Sequence, residues 1–104
     1  MRGDIFRIRP NDTSGHEQKG HRFGVVIQSD RLPLSTVLVA PTSTHATASD
    51  FRPRINLNGR TTFVMVEQTR AMNPETRFGQ FVGRLEIEEM QAVDEALRLV
   101  FGLF

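Results

Sequence analysis

A small, strongly curled antiparallel β-barrel backed by one C-terminal α-helix is the mainly β fold that this 104-residue sequence predicts. Three observations carry it. Short apolar runs rich in β-branched residues recur through the first 84 residues, separated by polar stretches punctuated by Gly and Pro. Asn58-Gly59 sits between two such runs, the strongest hairpin signal in the chain. From residue 86 the apolar spacing changes to three and four, the mark of a helix face.

In order, residues 4–9 alternate, with Phe6 and Ile8 on one face and Arg7 and Arg9 on the other, which predicts a strand. Residues 10–21 are polar and contain Gly, a long loop of the kind that often carries function. Residues 23–28 and 36–40 are expected as buried strands joined by 29–35. A second polar loop, dense in Thr, Ser and Ala, is expected over 41–52. Residues 53–57 and 62–67 form the predicted hairpin, and 80–84 a last strand, five or six strands in all. In the helix, expected over 86–101, Ile87, Met90, Val93, Leu97, Val100 and Phe101 share one face. Glu86, Glu88 and Glu89 suit its positive end and Gly102 its C-terminal cap. No Ser, Thr, Asp or Asn stands just before Glu86, so a weak N-cap is expected, at a cost of about 1 kcal/mol. Phe6, Phe63 and Phe101 are expected in the core.

The length suits one domain over 1–104. No apolar run approaches a membrane span, no apolar stretch follows the charged N-terminus, and a cytoplasmic, membrane-free protein is expected. The absence of cysteine removes disulfides, thiol nucleophiles and thiolate zinc sites. The net charge of +1 hides an asymmetry. Residues 1–84 hold twelve basic and seven acidic residues, whereas 85–104 hold one and five. Twelve of the thirteen basic residues are Arg, whose fork suits phosphate and carboxylate as well as it reflects base composition.

No Gly-rich phosphate loop, nucleophile elbow or His-Glu-x-x-His is present. His16, His21 and His45 stand in expected loops without metal-ligand spacing, so no metal and no cofactor is expected. His21 and His45 are of a type that moves protons near neutrality. Arg22 stands where a polar loop meets an apolar strand, and Thr42 where the next strand ends. Antiparallel pairing of the two strands would bring both to one edge, a guanidinium and a hydroxyl facing one anion. The plain alternatives are a surface ion pair for Arg22 and turn chemistry for Thr42.

Six segments together resemble the MazF/PemK-type toxins, the ribonuclease halves of bacterial toxin–antitoxin pairs. They are Arg2-Gly3-Asp4-Ile5-Phe6, Gly15-His16-Glu17-Gln18, Arg22 to Asp30, Thr36 to Ser43, Glu67-Gln68-Thr69-Arg70, and Gly83-Arg84-Leu85 with the helix after it. Each is weak alone; six in the right order are specific. Two departures stand out. Phe23 replaces the Pro that usually follows the loop Arg, and Pro41 lies one place later than the family's. A slip of alignment there would hand the role of Thr42 to Ser43 or Thr44.

The resemblance implies an SH3-like barrel, a homodimer, and metal-independent cleavage of single-stranded RNA at short sequences. The ribose 2′-hydroxyl would be the nucleophile, leaving a 2′,3′-cyclic phosphate and a 5′-hydroxyl. Arg22 would clamp the phosphate and donate a proton, and Thr42 would donate to the phosphoryl oxygen. The general base stays open, with Glu17 or a His of the 10–21 loop as candidates. RNA contacts are expected at Glu17, Gln18, His21, Ser43, Thr44, Gln68 and Arg70, with a structural ion pair as the alternative for Arg70. A MazE-like antitoxin would wrap the positive groove with an acidic tail. The competing reading is a CcdB-like toxin that binds DNA gyrase without catalysis.

Overall fold

The computed structural model describes residues 1–10 and 22–104. His16, Glu17, Gln18 and His21 lie outside the described residues. Among the described residues, seven strands make one curled antiparallel sheet: β1 (Asp4–Ile8), β2 (Phe23–Val26), β3 (Val37–Ser43), β4 (Arg54–Leu57), β5 (Arg60–Val64), β6 (Arg70–Met72) and β7 (Phe78–Arg84). The order is β4-β5-β3-β2-β1-β7, with β6 also paired to β3. A 3-10 turn spans Val66–Gln68, a one-turn helix α1 spans Pro74–Arg77, and α2 spans Ile87–Phe101. This is the expected mainly β fold with its C-terminal helix, the sheet curled into a half-barrel. No described helix is long and apolar enough to cross a membrane.

β3 is the hub. One edge pairs with β2; the other takes β6 along Val37–Val39 and β5 along Thr42–Ser43. The strand expected to stop at residue 40 therefore runs to Ser43. Pro41 does not break it, because the proline falls where β3 changes neighbour. Its missing N–H is not needed there, and its carbonyl accepts the Met65 N–H at 2.8 Å.

Side chains fill both faces of the sheet. Toward α2, Ile5, Val25, Ile27, Ala40, Ile55, Leu57, Val64 and Val66 pack with Val93 and Ala96 of the helix. On the other face Ile8, Val39 and Met72 pack with Phe6 and Phe78, whose rings stack at 4.7 Å. Gly24 is required between β1 and β3, since a Cβ there would lie 2.5 Å from a Val39 methyl and 3.0 Å from Ile8. Phe6 and Phe63 are half-buried, but Phe101 is 64% exposed, against expectation. The helix outruns the sheet: its buried residues are Val93 and Ala96, and Leu99, Val100 and Phe101 face outward.

The ends of α2 are well closed. Glu89 Oε1 accepts the Glu86 N–H at 2.8 Å, so the expected weak cap is compensated from the first turn itself. Glu89 Oε2 accepts the Asn56 N–H of β4 at 2.9 Å. At the far end Gly102 adopts φ +71°, and the Gly102 and Leu103 N–H groups bond the Leu99 and Arg98 carbonyls at 3.2 and 2.8 Å. Arg2 ties the N-terminus to this helix, donating to Asp94 at 2.7 Å and to the Ile27 carbonyl at 2.8 Å. Asp4, buried, accepts from Arg84 at 2.7 Å.

Candidate active site

Three chain segments meet at one mouth of the half-barrel: the start of β2, the end of β3 with the turn after it, and the β4–β5 hairpin. They enclose an open cleft of about 490 Å³. β2 contributes Arg22 and Phe23, β3 and its turn Thr42, Ser43, Thr44 and His45, and the hairpin Leu57, Asn58, Arg60 and Thr62. The strand register explains the first pairing. Gly24 stands opposite Pro41, so one step further Phe23 stands opposite Thr42. The Thr42 hydroxyl donates to the Phe23 carbonyl at 3.1 Å. Thr42 is only 8% exposed, whereas Arg22 at the rim is exposed.

The cleft has a mixed floor and a cationic rim. Leu57 and the Phe23 ring supply apolar surface, and the Arg7 guanidinium lies 5.9 Å from that ring. Thr62, buried, donates its hydroxyl to the Arg60 carbonyl at 3.1 Å. Ser43 Oγ accepts the His45 backbone N–H at 3.0 Å, a local turn that fixes the backbone of His45 at the mouth. No carboxylate is among the described lining residues, and neither Arg22 nor Arg60 forms an ion pair among the described residues. Two guanidiniums without a counter-charge among the described residues favour an anionic occupant.

The structure thus brings Arg22, Thr42, Ser43 and Thr44 together, and adds His45. Gln68 and Arg70 do not line this cleft; both are exposed, and Arg70 pairs with Val39 across β6 and β3. Arg70 makes no ion pair among the described residues. Within the same motif it is Glu67 that does, accepting from Arg52 at 2.7 and 2.9 Å. The hairpin residues Asn58, Arg60 and Thr62 escaped sequence reasoning. Asn58-Gly59 marks a turn, but nothing local says that the turn curls over the start of β2.

A family model described as PemK-like, MazF-like toxin of type II toxin–antitoxin systems matches residues 1–101. The chain is 36% identical over 104 residues to Rv3098A, a candidate toxin of Mycobacterium tuberculosis, covering 99% of this chain and 98% of that one. Its backbone resembles the Mycobacterium tuberculosis toxin MazF-mt6, with a TM-score of 0.77, 20% identity, and coverage of 97% and 98% of the two chains. It also resembles a mycobacterial endoribonuclease in complex with its cognate antitoxin, with a TM-score of 0.81, 15% identity, and coverage of 100% and 96%. The MazE-bound MazF of Deinococcus radiodurans gives 0.79 at 17% identity, with coverage of 99% and 96%. Matched by the family model along nearly its whole length, the chain belongs to the PemK-like, MazF-like toxins of type II toxin–antitoxin systems.

Proposed function

We propose that this toxin is a metal-independent endoribonuclease that cuts single-stranded RNA at short sequences and so arrests translation and growth. One observation carries the reading: Arg22 and Thr42 line the same cleft, whose described lining holds no carboxylate. Family membership and the fold shared with an endoribonuclease support it. The ribose 2′-oxygen attacks phosphorus as the bond to the 5′-oxygen breaks. A cyclic phosphate forms, and no protein nucleophile is needed. The 2′-hydroxyl proton passes to His45, of the one side-chain type in the described cleft that accepts protons near neutrality. Arg22 neutralises the phosphoryl oxygens and gives a proton to the leaving 5′-oxygen, regaining it from water. Thr42 turns its hydroxyl from the Phe23 carbonyl to a phosphoryl oxygen as charge builds there. Ser43 and Thr44 contact the strand beside it, and Glu17, Gln18, His21, Gln68 and Arg70 extend the RNA surface. The working unit is a homodimer, and a MazE-like antitoxin with an acidic tail silences it, as MazE partners the MazF of the same fold.

The test is cleavage of a single-stranded RNA in EDTA by wild type, Arg22→Ala and Thr42→Val. Wild type should produce 5′-hydroxyl ends and both variants should fail while melting near wild type. Normal cutting by both variants overturns the site. Intact RNA combined with inhibition of gyrase supercoiling would establish the CcdB-like reading instead.

A further inference from the structure

We infer that Arg60, at the tip of the β4–β5 hairpin, is a second phosphate anchor that seats the phosphate next to the scissile one; this rests on the RNA-cleavage reading above. Arg60 lines the same cleft as Arg22, from β5 rather than β2, with the end of β3 between them. Two strand spacings separate β5 from β2, and Arg60 also lies three residues along β5 from Phe63, the partner of Ser43, so the two backbones stand on the order of 15 Å apart. Two long side chains then converge on neighbouring points of one extended strand. Neither has a carboxylate partner among the described residues, so neither charge is already neutralised within the described fold.

The hairpin fixes the backbone from which Arg60 projects. Asn58 and Gly59 both adopt positive φ, +54° and +82°, the two-residue turn whose twist suits a tight hairpin. Asn56 Oδ1 accepts the Gly59 N–H at 2.9 Å, and the Asn56 N–H is held by Glu89 of α2. Arg60 pairs with Leu57 directly below the turn. A cation on so fixed an element sets register along a polyanion rather than following it. Arg60 is therefore a binding residue: it places the strand, and Arg22 acts on the reacting phosphate.

The test compares wild type, Arg60→Ala and Arg60→Lys. Binding is read by fluorescence anisotropy over a salt series, on an RNA oligonucleotide with one 2′-deoxyribose at the mapped cleavage position. Kinetics are read on the all-ribose oligonucleotide. Arg60→Ala should weaken binding several-fold, cut the slope of log affinity against log salt by about 0.7, and raise KM with kcat within twofold. Arg60→Lys should recover most of the slope. An Arg60→Ala protein with unchanged slope and KM overturns the anchor, as does a kcat loss at constant KM. A wild type that neither binds nor cleaves RNA sinks the RNA reading and this inference with it.

Discussion

The Thr42 hydroxyl hydrogen is spent on the Phe23 carbonyl, 3.1 Å away, across the ladder that joins the start of β2 to the end of β3. One bond therefore fixes the rotamer of the hydroxyl and ties it to the residue that follows Arg22. Thr42→Val keeps the shape and removes the donor. Single-turnover cleavage should fall by about 10²-fold or more, the usual effect of deleting one donor to a developing oxyanion. Stability should fall by only about 1 kcal/mol, read by urea denaturation. Thr42→Ser should retain most activity.

His45 is placed at the mouth by its own backbone N–H on Ser43 Oγ. His45→Ala should slow kcat by about 10²-fold while RNA affinity, read on the uncleavable oligonucleotide, stays within threefold. Equal rates for the variant and wild type would hand the base to another group.

Gly24 is a packing requirement. Gly24→Ala puts a methyl against Val39 and Ile8, both buried on the face away from α2. The expected cost is about 2 kcal/mol, seen as a fall in Tm of roughly 10 °C by calorimetry. The cleft residues are not touched, so cleavage below the melting range should persist.

Arg2 crosses from the N-terminus to α2 and also holds the Ile27 carbonyl. Arg2→Ala loses both bonds and should cost about 2 kcal/mol. Asp94→Ala removes only the half-exposed ion pair and should cost less than about 1 kcal/mol. Equal losses on chemical denaturation would show that the carbonyl bond contributes nothing.

Much of this fold was legible from local pattern. Alternation marked β1, the Asn58-Gly59 pair marked the hairpin, and spacing marked α2. What escaped had too little chain to show a period, or depended on what lay beneath. β6 is three residues long, and α1 is one turn, although Asn73-Pro74 is a fair start signal for it. Pro41 looked like a strand end because a missing N–H matters only on a paired edge, and the edge is a tertiary fact. Phe101 sits on the correct helical stripe, but periodicity cannot tell where the sheet below runs out. The Arg22–Thr42 neighbourhood followed from antiparallel pairing. Arg60 did not, since its place depends on how far the sheet curls.

Glu89 grips the start of α2 with one oxygen and the backbone of β4 with the other. Fraying of a helix start is ordinarily a cheap, private motion; here it releases the hairpin as well. The two should open as one cooperative unit, so the Asn56 and Glu86 amides should exchange hydrogen at a common rate. Glu89→Gln should accelerate both together, loosening the turn that brings Leu57, Asn58 and Arg60 to the cleft.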